Sequence, residues 1–181
     1  MYVYTLTMEK GNIMIKQLEN HVSDAQINMI VDIIIKQYQK YLRLTSSEEF
    51  VSIFAEEYAP HKRQHSVSWA ISSAFPSGKS VGSMKINRLK YEGGHKRPIL
   101  SNEYIEIHIL SKTTNFNAHY LKLRYMYNSN NFTSKKLFAY IKFSVNNKRL
   151  TTISLCLPDE NGIIVDEMIL LNRQTLKLLV A

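Results

Sequence analysis

Apolar residues recur three and four positions apart in the first third of the chain and two apart through most of the rest. From Asp24 to Leu44 the stripe is Ile27, Ile30, Val31, Ile34, Tyr38, Tyr41 and Leu42, which predicts an amphipathic helix. Ser23 stands before it as an N-cap and Gln26 lies three residues on, the two halves of a capping box. Ile33 and Ile35 widen the stripe, so burial on more than one side is expected. Lys36, Lys40 and Arg43 lie toward the C-terminal end, where the helix dipole favours cations. A second helix is predicted from Ser47 to Tyr58, capped by Ser46, faced inward by Phe50, Phe54 and Tyr58, and stopped at Pro60. A third is predicted from Val67 to Phe75, capped by Ser66 and ended by Pro76 and Gly78.

Near residue 80 the period falls to two. Strands are predicted at Met84–Tyr91, Glu103–Leu110, His119–Tyr127, Leu137–Val145, Arg149–Leu157 and Ile163–Leu170. Asn146-Asn147-Lys148 and Asp159-Glu160-Asn161-Gly162 supply turns between the last three. Residues 1–18 read as a short hairpin, and 174–180 as a terminal helix or strand. Helices followed by strands give an α+β fold, with N-terminal helices packed on one face of an antiparallel sheet. One domain, 1–181, is expected: 1–22 as an appendage, 23–76 as the helical part and 84–170 as the sheet. Ile27, Ile30, Ile34, Phe50, Phe54, Trp69, Ile107, Leu123, Ile141 and Leu155 should share its core.

Composition narrows the class. The 181 residues are 45 % hydrophobic and 21 % charged, which suits a globular chain and not a disordered one. A single cysteine, Cys156, removes disulfide scaffolds and multi-cysteine zinc sites. No apolar run approaches the roughly 18 residues of a membrane helix, and Met1–Lys10 has no secretory pattern, so a cytoplasmic location is expected. The net charge of +8 is unevenly placed: residues 61–150 carry sixteen Lys/Arg against three Asp/Glu. A basic middle between mildly acidic ends favours a polyanionic partner, either nucleic acid or an acidic protein surface.

The residues that alternate with the isoleucines change the picture further. They are Tyr104, Glu106 and His108; Tyr120, Lys122, Arg124 and Met126; Phe138, Tyr140, Lys142 and Ser144; then Thr152, Ser154 and Cys156. If that face is open, its rings offer stacking platforms for bases and its cations hold a backbone. Lys136-Leu137-Phe138-Ala139-Tyr140-Ile141-Lys142-Phe143 resembles the ribonucleoprotein octapeptide of RNA-recognition-motif domains, in which the positions of Phe138 and Tyr140 stack on bases. Leu137 replaces that family's glycine, and the strand is followed by another strand instead of a helix, so the fold implied by the resemblance does not extend beyond the octapeptide.

Other chemistry is thinner. Pro76-Ser77-Gly78-Lys79-Ser80 has the end of a P-loop, but Ser73 stands where its first glycine belongs. A winged-helix reading would take Val67–Phe75 as the reading helix with a hairpin near Tyr91–Arg97, yet that helix offers serines where base-reading side chains are needed. His108 and His119 lie on strands that would meet as a metal pair. Asp159, Glu160, Asp166 and Glu167 surround a turn in a way that would suit Mg²⁺. Neither cluster has a metal-site spacing, so no metal, cofactor or catalytic residue is assigned.

The expected function is therefore a small nucleic-acid-binding protein. Its sheet face would use Tyr120, Lys122, Arg124, Phe138, Tyr140 and Lys142, and its loops Lys62, Arg63, Lys96 and Arg97. The alternative is a protein-interaction module, such as an inhibitor that docks on an acidic or nucleic-acid-binding surface of a host enzyme. Nineteen Ile, sixteen Lys and fourteen Asn point to an AT-rich genome, of the kind found in phages and mobile elements. Burial of Phe138 and Tyr140 would move the docking of a protein partner ahead of nucleic acid.

Overall fold

The computed structural model describes residues 20–46, 60–90, 96–111, 137–146, 149–158 and 164–171, with backbone alone at 60–66, 89–90, 96, 137–138, 158 and 165. The elements are α1 (Asp24–Thr45), α2 (Pro60–Ser73), β1 (Ser80–Val81), β2 (Met84–Lys90), β3 (Lys96–Ser101), β4 (Ile105–Ser111), β5 (Leu137–Asn146), β6 (Arg149–Pro158) and β7 (Ile164–Leu171). The seven strands form one sheet in sequence order. Every adjacent pair is antiparallel except β4 and β5, which run parallel. The fold is thus α+β with a mostly antiparallel sheet, and the purely antiparallel expectation is corrected at one seam. A parallel pair needs a crossover of a dozen or more residues, and 112–136 is long enough to supply it.

α1 begins as its sequence dictates. The Ser23 hydroxyl accepts from the Gln26 backbone N–H at 3.3 Å, and the Ser23 N–H donates to Gln26 Oε1 at 3.1 Å. Gln26 also donates through Nε2 to Ser83 Oγ at 2.7 Å, which ties the helix start to the β1–β2 turn. Gly82 in that turn has φ +58°, and a Cβ there would stand 2.9 Å from Gln26 Nε2. At the same end, Asn102 Oδ1 accepts from the backbone N–H groups of Tyr104 and Ile105, both at 2.9 Å, while its amide donates to His21 O.

α2 starts at Pro60, seven residues before the predicted start, and Ser66 lies inside it instead of capping it. Proline at a helix start gives up only an N–H that would be orphaned there, and its fixed φ suits the first turn. The residue read as a stop for one helix is therefore the start of the next. Arg88 closes the other end, donating to the carbonyls of Phe75 and Ser72. That satisfies orphan carbonyls and sets a cation where the helix dipole is negative. The predicted helix at 47–58, the strand at 119–127 and the segments 1–18 and 174–180 lie outside the described residues.

One hydrophobic cluster joins the helices to alternate strand positions. It includes Ile27, Ile30, Ile34, Val67, Ile71 and Phe75 from the helical side, and Ile105, Ile107, Ile109, Ala139, Ile141, Phe143, Ile153, Leu155 and Leu157 from the strands. Register explains the selection: Ile109 pairs with Ile141, Ile141 with Leu155, and Leu155 with Met168. Trp69 is not part of this core, and the expectation that it would be is corrected: the residue is 73 % exposed. Val67, Ala70 and Ile71 face inward. At about 100° per residue, Trp69 lies roughly 200° round the helix from Val67. β1 and β3 are the strands that the periodicity missed, β1 because it is two residues long and β3 because Pro98 interrupts its pattern. The β3–β4 ladder starts at Ile99, one residue past the proline, so the absent N–H falls where that ladder ends.

Candidate interaction surface

The face that alternates with the isoleucines is closed. His108 pairs with Tyr140, Tyr140 with Cys156, and Cys156 with Glu167, which makes a row across β4 to β7 on one side of the sheet. His108, Tyr140 and Cys156 are fully buried. One step along, Leu110 and Ser154 are also buried and Lys142 is partly so, and exposure returns on β7 at Glu167 and Ile169. The expectation of an open second face fails for these strands. β4 and β5 meet in parallel, and strands in parallel pairs are characteristically buried on both faces.

This buried row is polar but chemically quiet. His108 Nε2 lies 3.1 Å from Glu106 Oε1. The contact is a hydrogen bond from His108 to Glu106 in the tautomer that carries its proton on Nε2. Burial pushes the His108 pKa below its ordinary value, and Glu106 pulls it the other way. The His108 and Tyr140 rings are tilted against each other with centroids 6.0 Å apart. Burial pushes the Cys156 thiol up to about 12, partly offset by Lys142, so it stays protonated and unreactive near neutral pH. Lys142 Nζ pairs with Glu167 Oε1 at 2.9 Å. Asp166 and Glu167 are neighbours on one strand and point to opposite faces, so they do not converge on one ion. Among the described residues no group of three His, Cys, Asp or Glu side chains is placed to hold a metal.

The predicted site residues therefore fare unequally. Tyr140 is buried, which removes it as a stacking platform, and Lys142 is engaged with Glu167. Arg97 is half-buried on β3. Lys62 and Arg63 lie in the first turn of α2, Lys96 begins β3 and Phe138 lies on β5, all outside the described side chains. Tyr120, Lys122 and Arg124, with His119, fall outside the described residues altogether. Of the ten, only Arg97, Tyr140 and Lys142 have described side chains, and of these Tyr140 and Lys142 alternate along one face of β5.

An aromatic and basic surface exists elsewhere, on the helices. Lys36, Lys40 and Arg43 are all exposed on α1, at positions i, i+4 and i+7. Met29 and Leu44 bracket them, 51 % and 58 % exposed. Gln37 Nε2 donates to Ser73 Oγ at 3.3 Å, which joins α1 to α2 level with this stripe and about 100° round the helix from Lys36. Ser73 lies one turn beyond Trp69, so Trp69 sits about one turn along α2 from the residue that meets Gln37. Ser83, ten residues after Ser73, contacts Gln26, eleven residues before Gln37, so the chain from Ser73 to Ser83 runs back along α1 toward its start.

The sequence reading assigned Lys36, Lys40 and Arg43 to the helix dipole alone and placed Trp69 inside. A helical wheel drawn from Pro60 would have set Val67, Ala70 and Ile71 on one side and Trp69 on the other. No protein-family model, no curated protein and no solved structure matches the chain. Among the described residues no helix is long and apolar enough to cross a membrane.

Proposed function

We propose that the protein is a binding module rather than an enzyme, and that it docks an acidic partner protein through the outer surface of α1 and α2. The observation that carries this reading is Trp69, a large apolar side chain left 73 % exposed on α2, which Gln37 ties to the helix that carries the exposed Lys36, Lys40 and Arg43. Burying a Trp from water is among the largest single gains an interface makes, and Trp and Arg dominate interface hot spots. Met29 and Leu44 favour a protein over a nucleic acid, because exposed apolar side chains at the ends of a cationic stripe match an interface core better than a phosphate track. The net +13 of residues 61–150 favours nucleic acid as the second reading.

The test is affinity capture from nuclease-treated extract with three baits: wild type, Trp69→Ala, and the triple variant Lys36→Glu/Lys40→Glu/Arg43→Glu. An acidic protein retained by wild type and lost from both variants supports docking. Capture that vanishes on nuclease treatment, with wild type retained on heparin at about 50 mM salt, supports the nucleic-acid reading instead.

A further inference from the structure

Resting on the docking reading above, we infer that the element received by this surface is an acidic amphipathic helix, laid along α1 with its apolar side against Trp69. Charge complementarity and spacing both bear on this choice. Lys36, Lys40 and Arg43 follow helical steps and form a straight cationic line roughly 10 Å long. A second helix with carboxylates at the same steps meets that line residue for residue. An extended segment, rising about 3.3 Å per residue with alternating sides, matches it only intermittently. The apolar positions agree: Met29 lies seven residues before Lys36, and Leu44 four after Lys40, so both lie on the line of the cations. A helix presenting an acidic stripe beside an apolar stripe would find the cations, with Met29 and Leu44 at the two ends of their line, under one and Trp69 under the other. This is helix-in-groove recognition, read by anchors at i, i+4 and i+7.

The chain carries its own reporter. Trp69 is its one tryptophan and is mostly exposed, so its emission should move to the blue when a partner covers it. The probes are three. The first is a synthetic amphipathic peptide of about 21 residues, with glutamates at helical steps and leucines on the adjoining face. The second has the same composition with two central residues exchanged for proline, and the third is an oligothymidylate of matching length. The helical peptide should produce a saturable blue shift. It should bind about tenfold or more tightly than the proline peptide, which cannot present its side chains in helical register. Lys36→Glu/Lys40→Glu/Arg43→Glu should abolish the shift, and Trp69→Phe, followed through a label on the peptide, should retain most of the binding. Equal binding of the two peptides overturns the helix but leaves acidic docking standing. Binding of the oligothymidylate alone, lost in the same triple variant, overturns both.

Discussion

Ile141 and Trp69 make a pair of truncations whose costs should invert what residue size suggests. Ile141 is fully buried on β5, flanked in register by Ile109 and Leu155, both of them also in the core. Ile141→Ala deletes three buried carbons, a transfer loss of about 2.4 kcal/mol at roughly 0.8 per carbon. The neighbours are held by strand pairing on both sides and cannot collapse inward. A residual void of around 60 Å³ then adds about 1.5 kcal/mol at ~24 cal/mol per Å³. The expected cost is about 4 kcal/mol. Trp69 hides only about a quarter of its surface. On roughly 250 Å² that is some 60 Å², or about 1.5 kcal/mol as an upper bound. Alanine's better helix propensity returns about 0.5 kcal/mol. Trp69→Ala should therefore cost about 1 kcal/mol or less, although buried Trp→Ala changes usually cost about 3–5. Urea unfolding followed by far-UV circular dichroism measures both, since the emission of an already exposed indole reports little on the core. A cost under about 1 kcal/mol at Ile141, or above about 2 at Trp69, would refute the placement of one residue in the core and the other outside it.

His108 sets a pH dependence: its folded pKa lies below the unfolded value, so its contribution is full above about pH 6.5 and falls as the pH drops and the unfolded state takes up the proton first. Thermal unfolding of wild type should lose more between pH 7.5 and 5 than that of His108→Gln, which keeps a donor toward Glu106 but does not titrate; parallel curves would remove His108 as the cause. Cys156, with its thiol pushed up to about 12 and its side chain buried, should resist a thiol-disulfide reagent at pH 8 until urea unfolds the chain. Prompt stoichiometric labelling of the native protein would contradict that burial. Gly82→Ala should be destabilising, because φ +58° and the approach of Gln26 both oppose a Cβ, and its penalty should be smaller when measured in a Gln26→Ala background, where the crowding is gone.

Local rules were legible wherever short-range physics decides the outcome. The Ser23–Gln26 box fixed the start of α1 to the residue, and period-two patterns located β2 and β4 to β7 within about two residues. The misreadings all turn on tertiary context. Pro60 is compatible with a stop or a start, and only the packing of Val67, Ile71 and Phe75 chooses between them. Alternation shows that Tyr140 and Ile141 face opposite ways, but it does not show whether the Tyr140 side is wet; the parallel partner β4 settles that, and strand direction leaves no mark in the pattern itself. The proposed docking surface was hidden for the same reason. Lys36, Lys40 and Arg43 are ordinary solvent-facing cations until α2 is laid beside them with Trp69 turned outward.

The parallel seam has a kinetic meaning. β1 to β4 are joined by short connections, and so are β5 to β7; each group is a meander that neighbouring residues can assemble. The seam is different, because Ile105 meets Leu137 and Ser111 meets Phe143 across a gap of thirty-two positions. Closing that gap spends chain entropy before any pairing returns it, so it is the natural late step in folding. The two meanders should then behave as separate cooperative units, with hydrogen-exchange opening that runs along β4 and β5 rather than across them. On this expectation the sheet is one surface in the native state and two objects on the way to it, and the line that divides them runs between Ile109 and Ile141.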